Sequence, residues 1–321
     1  MKIFITRPIP DIGVEMLKEK NFEVVVNTAA KDRPATKDEI LAGAKGSDAL
    51  LSVLTDKIDV DVMDAGLPTL KIIANYAVGV DNIDCEAAKK KNIIVTNTPG
   101  VLTETVAEHA FALLLSIARR IAESDRFVRT GQYKAWGPEL LLGANISGKT
   151  LGIVGLGRIG SKVACYAVRG FNMKVIYTDL KANPDFENEF GAVYVNNIDD
   201  LLPQCDFVSL HVPLTEENRH LINEERLGKM RKTAYLINTS RGPVVDENAL
   251  AGVLKEGVIA GAALDVFEFE PQITPALIEL DNVIMTPHTA SATKETRSKM
   301  AEMAAANIIE ALEDRTPPNP V

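Results

Sequence analysis

The chain has 321 residues, the length of about two ordinary domains, each able to bury its own core. Apolar residues make up 46% and charged residues 25%, which excludes collagen-like, disordered and disulfide-framework classes. The 35 Lys and Arg against 44 Asp and Glu leave a formal charge of −9 without basic runs, which argues against nucleic acid or an anionic membrane as partner.

The opening run from Met1 to Thr6 is halted by Arg7 and Pro8, so it does not read as a signal peptide. The longest apolar stretch, residues 110–118, is far short of the roughly 18 residues a membrane span requires. Cys85, Cys165 and Cys205 are odd in number, widely separated and without CxxC spacing. Reduced thiols, a cytoplasmic setting and no metal centre are the expectation.

Short runs rich in Ile and Val at residues 2–6, 22–26, 49–53, 72–75 and 93–96 read as strands. Residues 36–45 and 83–91 between them have a helical period, and such alternation predicts a parallel, doubly wound sheet. A long helix follows. Thr105 and Glu108 have the spacing of a capping box, and Val106, Ala110, Leu113, Leu114, Ile117 and Ile121 mark one apolar face, read as core packing.

A second alternating series begins at Thr150, with strands expected at residues 150–154, 174–178, 191–195, 207–211, 234–238, 260–266 and 283–285. A final helix over residues 294–312 leads into Thr316-Pro317-Pro318-Asn319-Pro320, read as a surface tail. Thr98-Pro99-Gly100 and Thr286-Pro287-His288 are matching breaker clusters and plausible domain crossings. The second series thus reads as a domain of residues 100–287 inserted into another of residues 1–99 and 288–321.

Gly155-Leu156-Gly157-Arg158-Ile159-Gly160 is G-x-G-x-x-G directly after a strand and opening a helix, and Asp179 ends the next strand. Glycines let the backbone approach a pyrophosphate, a helix N-terminus supplies amides, and the carboxylate accepts from a ribose hydroxyl. A carboxylate there repels a 2′-phosphate, so NAD(H) is favoured over NADP(H), an expectation tempered by the neighbouring Lys181.

Four histidines are few. His109, in the long helix, reads as packed or surface-exposed; His220, in a polar stretch, as solvated; and His211, at a strand end, as structural. His288 ends a strand on a Pro-rich crossing, where open α/β sheets bind ligands, and on its residues alone is as compatible with a structural role as with a catalytic one. Asn238-Thr239-Ser240-Arg241-Gly242 brings a guanidinium suited to carboxylates to another strand end, unless it pairs a neighbouring helix. The segment from Ala263 to Pro271 brings Asp265, Glu268 and Glu270, unless it is a solvated acidic loop. An acid or base, an orienting carboxylate and a carboxylate-binding Arg are what hydride transfer to a 2-keto acid requires.

The glycine loop, the Asn238–Gly242 segment, Leu264-Asp265-Val266-Phe267 with Glu270-Pro271, and Thr286-Pro287-His288 together resemble the D-isomer-specific 2-hydroxyacid dehydrogenases, and most nearly their glyoxylate/hydroxypyruvate reductase branch. The resemblance spans nearly the whole chain. It implies an α/β protein of two doubly wound domains, a Rossmann NAD-binding domain inserted into a flavodoxin-like substrate domain. It further implies that Arg241 binds and polarises the substrate, His288 is the general acid/base and Glu270 orients it. Asp265 matches the residue holding the nicotinamide carboxamide. Thr105, Gly155, Gly157, Arg158, Ile159, Gly160, Asp179, Val212, Pro213, Thr239 and Ser291 fall where relatives line the cofactor. Val78 and Gly79 match a loop whose amides hold the substrate carboxylate, with Val78 also near the cofactor and Leu54 facing the substrate. Trp136 matches an aromatic near the partner's active site in relatives that are homodimers.

The loop Ser52-Val53-Leu54-Thr55-Asp56 lacks the arginines that phosphoglycerate relatives place there, and its carboxylate would repel phosphate. Val78 stands where phosphite-oxidising relatives carry a lysine. A small unphosphorylated 2-keto acid, glyoxylate or hydroxypyruvate first, is therefore expected, with D-lactate or phosphoglycerate dehydrogenation as alternatives. The reading from another class is a nucleotide-binding corepressor that shares the fold and site residues.

Overall fold

Parallel strands buried on both faces are continuous apolar runs, and the first strand illustrates it: Ile3, Phe4 and Ile5 are all buried. The structure, a computed structural model, describes residues 1–321, which divide into a unit of residues 1–102 and 292–321 and a unit of residues 103–291.

In the first unit, β1 (Lys2–Ile5), β2 (Glu23–Val26), β3 (Ala49–Val53), β4 (Ile72–Tyr76) and β5 (Ile94–Thr96) form one parallel sheet in the order β2-β1-β3-β4-β5. This is the flavodoxin-like order. Asp11–Glu19, Lys37–Ala44, Val60–Gly66 and Cys85–Lys90 are its crossover helices. Thr36 and Glu39 form a true capping box at the start of the second of these. Lys294–Leu312 returns to the same unit and lies tight against Asp11–Glu19: a Cβ on Gly13 would come within 2.8 Å of the Ala301 carbonyl oxygen.

In the second unit, β6 (Thr150–Val154), β7 (Lys174–Thr178), β8 (Val193–Tyr194), β9 (Phe207–Leu210), β10 (Tyr235–Asn238), β11 (Gly261–Leu264) and β12 (Val283–Met285) are ordered β12-β11-β10-β9-β6-β7-β8, all parallel. The order reverses between β6 and β9. In a dinucleotide-binding sheet that switch point is where the ligand lies. The helix Thr103–Ala118 buries Ala107, Ala110, Phe111, Leu114 and Ile117 against Leu151 and Ile153 of β6 and Val163 of the helix Arg158–Phe171.

Several local expectations are corrected. The long helix starts at Thr103, so Thr105 lies inside its first turn and does not cap it. It ends at Ala118, where Arg120 turns to φ 52°, which throws Ile121 out of register; Ile121 is 54% exposed in a separate helix, Ile121–Arg129, that buries nothing. The strand expected over 191–195 shrinks to Val193–Tyr194, because Gly191, at φ 64°, caps the preceding helix Pro184–Phe190. The unit boundaries fall three and four residues later than the expected 99/100 and 287/288. The second shift arises because the amides of His288, Thr289 and Ala290 are all bound to Asp265. The tail lies at the surface as expected, with Thr316, Pro318, Pro320 and Val321 exposed, and it is also pinned: Val321 N donates to Val95 O at 3.0 Å and Thr96 pairs antiparallel with Pro320.

Candidate active site

The glycine loop joins β6 to the helix Arg158–Phe171. Gly155 sits at φ 95°, and a Cβ there would strike the His211 carbonyl at 2.9 Å; one on Gly160 would strike Gly155 O at 2.1 Å. Only glycine fits either position. A Cβ on Gly157 would meet nothing within 4 Å, so open space lies above the loop, at a helix start whose N-cap offers no side-chain cap. Asp179 is tied to the same loop, its two oxygens accepting from Leu156 N at 2.7 Å and Leu180 N at 2.6 Å. Val212, beside Gly155, and Pro213 follow β9, and Thr239 follows β10. Thr239 Oγ1 is buried and has no hydrogen-bond partner. An unpartnered buried hydroxyl, a bare helix start and a loop that leaves room for a pyrophosphate fit a dinucleotide cofactor.

His288 lies on the turn after β12 at φ 52°, an uncommon backbone conformation for a residue with a side chain. Asp265 holds that turn. Its carbonyl accepts from His288 N at 2.8 Å. Its carboxylate is fully buried and accepts from Thr286 Oγ1 at 2.5 Å and from the amides of Thr289 and Ala290, each at 2.8 Å. Burial pulls the Asp265 carboxyl upward, but His109, Thr286 and the two amides outweigh it and hold it below the ordinary Asp value. His109, expected to be packed or on the surface, is half-buried and has specific partners: its Nε2 lies 3.1 Å from Thr286 Oγ1 and 3.4 Å from Asp265 Oδ1. Since the Thr286 hydroxyl gives its single proton to Asp265, it accepts from His109, which therefore carries its proton on Nε2. Nothing in the local sequence links residues 177 positions apart. Ser291 ends this turn, and Thr105 lies in the first turn of the helix that bears His109.

His288 Nδ1 is 2.9 Å from Glu270 Oε2, and Glu270 Oε1 accepts from Phe267 N at 2.9 Å. An ionised carboxylate only accepts, so Nδ1 carries hydrogen and Nε2 is the atom left to exchange a proton. The Arg241 turn lies directly against this loop: a Cβ on Gly242 would fall 1.9 Å from Phe267 C and O. Asn238 shapes the turn, donating to Arg241 O at 2.9 Å and accepting from Ser240 N and Oγ, while Arg241 Nη1 donates to Ser240 O. Arg241, Glu270 and His288 are thus carried by adjoining segments at one end of the second sheet.

The acidic loop is not simply solvated. Glu247, 2% exposed, accepts from Glu268 N and Thr274 Oγ1, both at 2.6 Å, and so clamps the two ends of the segment bearing Glu270. His220, expected to be solvated, pairs through Nε2 with Glu268 at 2.7 Å. Burial pushes the His211 imidazole down to about 4, and its Nε2 lies 2.9 Å from Ser209 Oγ, which agrees with the structural role expected.

In the first unit, Leu54 follows β3 and Val78 and Gly79 follow β4, all partly exposed. Asp56 is 1% exposed, accepts from Thr6 and from Val53 N, and is raised above the ordinary Asp value by burial. It closes its own loop rather than facing a ligand, so the expected repulsion of phosphate by Asp56 is withdrawn; the lack of arginine there remains. No helix is long and apolar enough to cross a membrane.

Residues 111–290 match the family model described as the NAD binding domain of D-isomer specific 2-hydroxyacid dehydrogenases. A glyoxylate reductase of Korarchaeum cryptofilum is 53% identical, covering 99% of this chain and 95% of its own length. One of Thermofilum pendens is 52% identical, covering 99% and 93%. Among solved structures, the TT0316 protein of Thermus thermophilus superposes with a TM-score of 0.93 at 43% identity over the whole of both chains. The NADPH-dependent glyoxylate/hydroxypyruvate reductase of Sinorhizobium meliloti, in complex with NADP and malonate, gives 0.85 at 32% identity over 100% of this chain and 96% of its own.

Proposed function

This chain belongs to the D-isomer-specific 2-hydroxyacid dehydrogenase family, and from that premise we propose that it reduces glyoxylate, with hydroxypyruvate as a second substrate, to the corresponding 2-hydroxy acid. The full-length relatives at about half identity named as glyoxylate reductases support the substrate. The observation that carries the chemistry is the His288–Glu270 pair on a segment packed against the Arg241 turn.

When bound, NADH supplies the hydride. Reduction adds that hydride to the carbonyl carbon and a proton to the oxygen. His288 Nε2 delivers the proton, because Nδ1 is committed to Glu270. Glu270 keeps the ring oriented by accepting from Nδ1. Arg241 offers a planar fork to the substrate carboxylate and its 2-oxygen, stabilising the charge that grows there. Leu54 and the amides of Val78 and Gly79 complete recognition of a small acid. Asp265 acts through the turn it holds, keeping His288 in place, and would face the nicotinamide carboxamide. Gly155, Gly157, Arg158, Ile159 and Gly160 would hold the pyrophosphate, Asp179 the adenosine ribose, and Thr105, Val212, Pro213, Thr239, Ser291 and Val78 would line the rest of the cofactor.

A homodimer built on the second unit accompanies this reading. The helix Ile121–Arg129 buries no residue, and Ile121, Val128, Tyr133, Trp136 and Leu142 are each more than half exposed, an apolar surface of the kind a second copy covers. Three unpaired cysteines accord with a reducing cytoplasm.

A panel of glyoxylate, hydroxypyruvate, pyruvate, phenylpyruvate and phosphohydroxypyruvate, each with NADH, tests the proposal. Highest kcat/KM with one of the first two is expected. A tenfold preference for phosphohydroxypyruvate would overturn it.

A further inference from the structure

Three successive peptide groups after β4 are gripped from behind. Ala77 O accepts from Thr98 N at 2.8 Å, Val78 O from Asn97 Nδ2 at 2.7 Å, and Gly79 O from Asn75 Nδ2 at 2.9 Å. A trans peptide is planar, with its N–H opposed to its C=O. Fixing these carbonyls therefore fixes the N–H vectors of Val78, Gly79 and Val80. None of those three amides donates to an acceptor in the structure. Consecutive, oriented, unspent amides are a device for binding an anion.

The grip is itself supported. Asn75 is fully buried and saturated: it accepts from Ser52 Oγ at 3.0 Å and donates its second hydrogen to Asn82 Oδ1 at 2.9 Å. Asn97 is held by the last helix and the tail. Its N–H donates to Asn319 O at 3.2 Å, its carbonyl accepts from Asn307 Nδ2 at 3.2 Å, and Asn319 N and Nδ2 both donate to Asn307 Oδ1 at 3.2 Å. Asn307 is fully buried inside this triangle. The antiparallel pairing of Thr96 with Pro320 and the Val321 N to Val95 O bond lock the same segment.

We propose that the C-terminal tail, through the Asn97–Asn307–Asn319 triangle, positions the amides that bind the substrate carboxylate, so that Asn97, Asn307 and the tail are positioning elements for substrate. This rests on the reading that Val78 and Gly79 take that carboxylate. The physical cause is preorganisation: amides already aimed need no reorganisation when the anion arrives, whereas a peptide released from Asn97 is free to rotate. A hydrogen bond to a charged group is worth roughly one to two orders of magnitude in affinity, and misaiming one sacrifices part of that.

The experiment uses the full chain, Asn97→Ala, and a chain shortened by residues 317–321. For each, KM and kcat for glyoxylate and Kd for NADH are measured. In parallel, the amide resonances of Val78 and Gly79, labelled with nitrogen-15, are followed as oxamate, an unreactive carboxylate, is added in the presence of NADH. The expected result is that oxamate shifts both resonances in the full chain. Both variants then raise KM about tenfold, with kcat within about threefold and NADH affinity unchanged. Asn97→Ala leaves the backbone bonds of the tail in place, so it decides the matter if the shortened chain does not fold. Shifted resonances with a wild-type KM in Asn97→Ala would overturn the positioning role and leave the carboxylate reading intact. Unshifted resonances in the full chain would remove the carboxylate reading itself, and the proposal with it.

Discussion

His288 Nδ1 and Glu270 Oε2 stand 2.9 Å apart across 18 residues of chain, brought together because Asp265 ties down the turn bearing one and Glu247 clamps the loop bearing the other. Glu270 uses both oxygens, one for His288 Nδ1 and one for Phe267 N, and the amide of Glu270→Gln has a single acceptor for the two. The ring loses its fixed orientation, so kcat for glyoxylate should fall about tenfold or more while Kd for NADH is unchanged. Steady-state kinetics and NADH titration of the two enzymes check it; an unchanged kcat would separate Glu270 from the proton transfer.

Gly242 is where the Arg241 turn touches the loop carrying Glu270, and a Cβ 1.9 Å from backbone atoms has no room. Gly242→Ala must displace one segment or the other. A stability loss of about 1–3 kcal/mol is expected, together with a fall in kcat larger than any change in NADH affinity. Chemical denaturation and steady-state kinetics on the same preparation measure both.

Asp179 is anchored to the glycine loop through Leu156 N, and in the proposed cofactor placement its carboxylate would repel a 2′-phosphate. The ratio of kcat/KM with NADH to that with NADPH should exceed one and fall in Asp179→Ser. A ratio below one in the unaltered enzyme would show that Lys181 or another cation governs the choice.

The half-buried His211 gives the acid side of the stability curve its shape. Its imidazole titrates at about 4 when folded and near 6.5 when unfolded, so between those values the unfolded chain binds a proton that the folded one refuses. Stability therefore falls as pH drops through that window, by up to about 3 kcal/mol, and is indifferent to this group above it. Urea unfolding at pH 7, 6, 5 and 4 should show the slope, and His211→Asn should flatten it. Asp265, held below the ordinary Asp value, contributes stability that is lost only below about pH 4.

The strand runs, the glycine loop and the ordered motifs were legible because each is a local pattern with one physical meaning. β6, β7 and β12 occupy the predicted residues. What sequence misplaced depends on partners far away in the chain. Ile121 continues the helical period of Ile117, yet the αL turn at Arg120 places it in solvent. The Thr105–Glu108 pair has capping-box spacing inside a helix that had already begun. His109 and His220 looked incidental because Thr286 and Glu268 lie far off in sequence. Asp56 reads as a carboxylate set against phosphate, but Thr6 and the Val53 amide draw it inside. The Pro-rich tail looked like an ending because its partner, β5, is found only once the chain has folded.

Proton delivery by His288 is read out by single-turnover oxidation of NADH by glyoxylate in the unaltered enzyme and in His288→Ala. The rate of that step should fall by about 10²-fold or more in the variant, with Kd for NADH unchanged because the glycine loop and Asp179 are untouched. An undiminished rate in His288→Ala would assign the proton to another group.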